Sequence, residues 1–279
     1  MMSFPTFFQA FPLDSTHSSA HSSVHSNDPF ASTRFVLVEP SHPGNVGAAA
    51  RALKTMGFSR LIVVAPKIAF VTREPEAIAM ASGADDVLAS AQVVETLADA
   101  LNGVHWSVAL TARTREYGPP QMAPRAAAEK ACEFVDQRSG GLGAIALVFG
   151  NERVGLSNAD VERCSALAHI PANPAYSSLN LAQAVQVLAY ELRLALLGRA
   201  VANPVASELA SQPSASSDEI EGMYTHLEQA LVALDFLDPA NPKKLMSRLR
   251  RLFSRSGLEH EEVNILRGIA KHILLRIKR

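Results

Sequence analysis

Three short blocks of small and polar residues recur along the first two thirds of the chain, and their side chains are of the kind that hold a polar ligand. The first is Asn45-Val46-Gly47 followed by Arg51. The second is Phe149-Gly150-Asn151-Glu152-Arg153-Val154-Gly155-Leu156-Ser157, and the third is Ser177-Ser178-Leu179-Asn180-Leu181. Glycine lets a backbone turn and come close to a ligand, and the free amides of a helix N-terminus suit an anion. Each block falls where a strand should end and a helix begin, the place where open α/β sheets bind their ligands. Several chemistries are excluded. A dinucleotide site wants an acid about twenty residues further on, at the end of the second strand, and Ala65-Pro66 stands there. Neither the Gly-Lys-Ser/Thr ending of a phosphate loop nor a Gly-x-Ser-x-Gly elbow occurs.

The elements that must position these blocks are legible as short apolar runs. Residues 35–38, 61–64, 108–110 and 144–149 read as parallel strands covered on both faces, with 166–170 as a fifth. Helices are expected over about 44–56, 91–102, 124–138, 157–164 and 178–198. The fold class is therefore α/β, a parallel sheet flanked by helices. Residues 199–217, rich in Ala, Asn, Pro and Ser, read as a linker. Beyond it a basic helical unit spans 218–279, with helices at about 218–236, 242–254 and 259–277, the last burying Val263, Leu266, Ile269, Ile273, Leu274 and Ile277. Residues 1–33 lack Lys and Arg and are rich in Ser, the composition of a disordered leader. His17, His21 and His25 would align on a helix as a metal clamp, but Ser-rich sequence forms helices poorly.

The 279 residues carry a formal net charge of −1, which conceals an asymmetry. Residues 204–238 hold seven acids and no Lys or Arg; residues 241–279 hold eleven bases and three acids. Six bases within 243–255, without an acid, exceed what solubility requires and suit a polyanion such as RNA. No membrane span and no signal peptide are expected, so the cytoplasm is the default address. Cys132 and Cys164 lack metal-ligand spacing and read as small core residues, and no metal is expected. His42 reads as a loop residue without a partner that would make it a base. Tyr176 reads equally as a stacking platform for a base or as a loop anchor.

Taken together, the three blocks resemble the SPOUT class of knotted RNA methyltransferases, which use S-adenosylmethionine. Residues 147–157 look like the second motif of that class and residues 170–191 like the third. The likeness runs from about Arg34 to about Arg276, apart from the linker. It is nearest to the branch that methylates tRNA ribose at nucleotide 32 of the anticodon loop. That branch is suggested by Asn173-Pro174-Ala175-Tyr176-Ser177-Ser178, by Thr111-Ala112-Arg113-Thr114-Arg115, and by Lys244-Leu245-Met246-Ser247-Arg248-Leu249-Arg250-Arg251-Leu252-Phe253 with Leu266-Arg267-Gly268-Ile269.

The resemblance implies a trefoil knot late in a sheet domain spanning 34–198, a homodimer, and tRNA as the partner. It implies cofactor contacts at Leu110, Thr111, Ala112, Gly150, Glu152, Ile170, Ser177, Ser178, Leu179 and Asn180, with Gly150 leaving room for the ligand. Ser178 and Asn180 are expected to cap the following helix as well, and Glu152 reads equally as a helix N-terminal acid or an organiser of the cofactor loop. Arg51 is the first candidate for catalysis, with Arg115 and Asn45 as candidates for holding RNA. The alternatives are a ribose methyltransferase acting on another tRNA or rRNA site and, from a different class, a noncatalytic RNA-binding protein of the same fold. The complete set of Asn45, Arg51, Gly150, Glu152, Ser178 and Asn180 speaks against the latter.

Overall fold

Alternation along each strand decides how the sheet is buried: Phe35 and Leu37 face one side and Val36 and Val38 the other, and all four are sequestered from solvent. The computed structural model describes residues 28–112, 118–135, 144–202 and 214–277. Its strands are β1 (Arg34–Val38), β2 (Arg60–Val64), β3 (Gln92–Val94), β4 (Val104–Leu110), β5 (Gln121–Met122), β6 (Ala144–Phe149) and β7 (Ala166–Ala168). They form one sheet in the order β3-β2-β1-β6-β4-β7-β5, parallel throughout. The helices are α1 (Pro29–Ser32), α2 (Pro43–Thr55), α3 (Pro75–Ala81), α4 (Asp85–Ala89), α5 (Leu97–Leu101), α6 (Pro124–Val135), α7 (Asn158–Glu162), α8 (Leu181–Ala202), α9 (Ser217–Ala233), α10 (Leu245–Phe253) and α11 (His260–Ile277).

One face of the sheet, with Phe35, Leu37 and Phe149, is covered by α2, α6 and α8, which contribute Val46, Leu53, Cys132, Val185, Leu188 and Leu192. The other, with Val36, Ile62 and Val148, is closed by Leu97 and Leu101 of α5 and Val161 of α7. A separate cluster of Met223, Tyr224, Leu258 and Val263 holds the C-terminal helices together. By composition α8 is the one described helix long and apolar enough to cross a membrane. Leu181, Val185, Leu188 and Leu192 bury one side of it in the core.

Several boundaries differ from those expected. Residues 91–102 form β3 and then α5, because Val93-Val94 pairs with β2 and the reciprocal capping of Thr96 and Asp99 starts the helix late. The chain is built before residue 34: Asp28 caps α1, and Phe30 packs on Phe58 with ring centroids 5.1 Å apart. The three histidines of the leader lie outside the described residues. Helix α8 runs to Ala202, into the expected linker, of which 203–213 lie outside the described residues. In α11 the buried residues are Val263 and Ala270, whereas Ile269 and Ile277 are exposed, since α9 covers only one side of the helix.

Candidate active site

The loop after β6 folds tightly back on itself. Gly155 N donates to Asn151 O at 2.8 Å, and Asn151 Oδ1 accepts from Arg153 N at 2.9 Å. Asn151 Nδ2 ties the loop to Glu39 O, at the end of β1, at 2.7 Å. A β-carbon at position 150 would lie 2.3 Å from Gly155 C and 2.4 Å from Leu156 N. Gly150 is therefore required by the closure of its own loop. The expectation that it clears space for a ligand is corrected on that point.

Glu152, on this loop, joins the second block to the first. Its Oε2 accepts from Ser41 N at 3.0 Å and Ser41 Oγ at 2.7 Å, and its Oε1 from Asn45 Nδ2 at 2.9 Å. Partial burial pushes this carboxyl up, but the hydrogen bonds from Asn45 and Ser41 outweigh it and hold the group below the usual glutamate value. Asn45 Oδ1 in turn accepts from Asn180 Nδ2 at 2.8 Å, and Asn180 Oδ1 caps α8 through Ala182 N at 2.9 Å. One hydrogen-bonded chain, Glu152 to Asn45 to Asn180, thus locks all three blocks together. Thr111 N donates to Ala168 O at 3.0 Å, and the His169 ring lies 3.0 Å from Thr111 O, which fixes the ends of β4 and β7 side by side.

These loops enclose a cleft of about 390 Å³ at the C-terminal ends of β4, β6 and β7. Leu110, Thr111, Ala112, Gly150, Glu152, Ile170, Ser177, Ser178 and Leu179 line it. Asn180 does not; it stands behind the cleft as a cap and a link to Asn45. Asn151, Arg153, Val154, Leu156 and Leu181 also line the cleft and were not singled out as contacts, although membership of the second and third blocks was a signal for them; Ala184, in the first turn of α8, lines it too. Ser41, whose amide and hydroxyl hold Glu152, was missed as well. Tyr176 stands out from the rim, 82% exposed, on a turn closed by Asn173 Oδ1 accepting from Ala175 N.

Arg51 lies on the solvent face of α2, and its guanidinium makes no hydrogen bond or ion pair among the described residues. It does not line the cleft of its own chain. Arg115 lies outside the described residues. Among those described, no group of His, Cys, Asp and Glu could hold a metal ion.

Residues 32–190 match the model of the SpoU rRNA methylase family, and residues 218–279 that of the C-terminal domain of the tRNA methyltransferase TrmJ. The tRNA (cytidine/uridine-2′-O-)-methyltransferase TrmJ of Yersinia pestis (strain Pestoides F) is 46% identical over 240 residues, covering 86% of this chain and 90% of the relative. The tRNA (cytidine/uridine/adenosine-2′-O-)-methyltransferase TrmJ of Pseudomonas aeruginosa (strain UCBPP-PA14) is 46% identical over 242 residues, 85% of this chain and 91% of the relative. Among solved structures, TrmJ from Z. mobilis ZM4 superposes with a TM-score of 0.71 at 33% identity, covering 86% of this chain and 98% of that one. A probable methyltransferase from Bordetella pertussis Tohama I is 52% identical, with a TM-score of 0.57 over 61% of this chain and 99% of its own. The chain belongs to the SpoU methylase family and, within it, to the TrmJ tRNA methyltransferases.

Proposed function

We propose that this protein transfers a methyl group from S-adenosylmethionine to a ribose 2′-oxygen of tRNA, at nucleotide 32 of the anticodon loop. The observation that carries the reading is the convergence of three distant blocks on one cleft, locked by the Glu152-Asn45-Asn180 chain. The cleft falls within the roughly 300–1,000 Å³ of small-molecule sites. Half-buried Leu110, Ile170 and Leu179 offer apolar walls for a purine, and the backbone of 110–112, 150–156 and 177–179 offers donors and acceptors for its edge and for a ribose. S-adenosylmethionine supplies a methyl group on a sulfonium, so the chain has only to bind, align and stabilise charge.

Arg51 is the residue to which we assign the charge. A guanidinium stays protonated and cannot act as a base. It orients the ribose or an adjacent phosphate and stabilises the 2′-oxygen as it becomes alkoxide-like, the proton leaving to phosphate or water. Asn45, engaged by both Glu152 and Asn180, acts as a positioning residue. Because Arg51 lies outside the cleft of its own chain, we read the active form as a homodimer in which one tRNA touches both copies. Tyr190, Leu194 and Leu197 on α8, 49%, 42% and 43% exposed, give an apolar face for the second copy. The knot belongs to the same reading: its threaded segment is the 169–180 link between β7 and α8, and Ile170 and Ser177–Leu179 of that link line the cleft beside residues that follow β4 and β6.

The names of the relatives differ in the bases they accept at equal identity, which suits an enzyme that reads the ribose. Incubating the protein with labelled S-adenosylmethionine and unmodified tRNA, then locating the label by mass spectrometry, tests the proposal. Label on the 2′-oxygen of nucleotide 32 is expected. Label on a base would refute the chemistry, and label on another ribose would refute the position.

A further inference from the structure

A second cavity, of about 150 Å³, lies at the seam between the sheet and the C-terminal helices. His105 and Trp106, at the start of β4, and Ser165, just before β7, form part of its wall, so it lies at the N-terminal ends of these strands, opposite to the cofactor cleft. Five cationic side chains line it, Lys130, Arg163, Arg250, Arg251 and Arg255, against the two carboxylates Glu162 and Glu221. Both carboxylates are already engaged. Glu221 receives Arg250 Nη1 at 2.5 Å and Nη2 at 2.9 Å, with Arg163 3.8 Å away, and Glu162 accepts from Ser247 Oγ at 2.8 Å. Lys130 is paired with Glu133 at 2.5 Å, so the positive charge left to the cavity rests chiefly on the arginines. The guanidinium of Arg255, exposed at its mouth, enters no hydrogen bond or ion pair among the described residues.

Converging guanidinium groups present the forked donors that match a phosphate. The volume is well below the roughly 300 Å³ at which small-molecule sites begin, which suits a single phosphate group and not a whole nucleotide. We propose that this seam cavity binds a phosphate group, and that its occupant is a backbone phosphodiester of tRNA held jointly by the two units. The RNA part rests on the reaction proposed above. The chemistry fits the position: a site built from both units engages RNA only while α9 and α10 remain docked on the sheet.

The test uses the full chain and the double variant Arg163→Gln/Arg255→Gln, neither residue having a place in the cofactor cleft. Inorganic phosphate is expected to raise the thermal unfolding temperature of the parent and not of the variant. For unmodified tRNA, the variant should show a salt-dependence slope shallower by about one. Its KM for tRNA should rise about tenfold, as for the loss of one charge-assisted contact, with kcat at saturating tRNA unchanged. A folded variant, judged by circular dichroism, with unchanged slope and KM overturns the RNA assignment. If phosphate also fails to protect the parent, the site itself is overturned. Phosphate protection of the parent without competition against tRNA identifies a free-anion site and likewise overturns the RNA assignment. Failure of the parent to methylate any tRNA sinks the reaction instead, and the phosphate arm reads the cavity independently of it.

Discussion

Glu152 carries its charge among donors: the Ser41 amide and hydroxyl, the His42 amide and the Asn45 side chain. Replacing it by Gln puts an amide donor against donors, and Glu152→Gln should destabilise the fold by about 1–2 kcal/mol in urea unfolding, partial exposure keeping the cost modest. The pH dependence has a definite sign. The folded carboxyl lies below the ordinary value of 4.5, so its contribution is complete above that value and is lost as pH falls through the depressed one. The stability gap between the parent and Glu152→Gln should therefore narrow on acidification below about pH 4.5; a constant gap would contradict the account of this carboxylate. Gly150 makes a different demand, since the atoms a β-carbon would meet are backbone. Gly150→Ala should open the 150–156 loop, costing about 2–3 kcal/mol and weakening S-adenosylmethionine binding in calorimetric titration. Undiminished affinity would show that the loop's closure is not needed by the cleft.

At the scale of elements, α2 is the part that must be held in place, because it carries both Asn45 and Arg51. Gly47 lets it lie against α3: a β-carbon there would sit 1.9 Å from Ala77 O. Gly47→Ala should accordingly cost about 3 kcal/mol and lower methyl transfer in proportion to the displacement of α2, whereas Ala48→Gly, on the half-buried side, should cost only about 1 kcal/mol. Equal effects of the two would refute this packing. The same helix was legible in the sequence to within a residue, and so were β1, β2 and β6, because continuous apolar runs bounded by turn residues leave few alternatives. Strand β4 was read three residues long and proves to be seven. Ser107 disguised it; the buried hydroxyl is accommodated by an exchange in which Ser107 N donates to Ser165 Oγ and Ser165 N to Ser107 Oγ. Helices α3 and α4 and strand β5 escaped notice because seven, five and two residues are too short to show a period. The cleft itself was legible through its motifs. The true reason for Gly150 and the part played by Ser41 were not, since both depend on how the loop after β6 folds back against the end of β1.

At the scale of the molecule, two features frame the reaction. The Glu221-Arg250 pair and the Ser247-Glu162 bond fasten the C-terminal helices together and onto the sheet, so part of the basic run is structural and only the remainder is available to RNA. The apolar face of α8, in contrast, is exposed and unpartnered among the described residues. Leu194→Asp, placed on that face, should leave the fold intact and convert a dimer to monomers in sedimentation velocity, with methyl transfer falling together with the dimer; a monomeric parent at full activity would refute the homodimer. In the proposed reaction the cleft holds the methyl donor while Arg51, outside it, stabilises the reacting 2′-oxygen. The most direct measurement is methyl transfer to unmodified tRNA under single-turnover conditions, parent against Arg51→Ala, with S-adenosylmethionine affinity measured in parallel. A loss of at least about a hundredfold in the rate of transfer is expected, on the scale of removing one charge-stabilising group. Cofactor affinity should be unchanged, and stability should stay within about 0.5 kcal/mol, as for an exposed residue. Full transfer by Arg51→Ala would contradict the role given to Arg51.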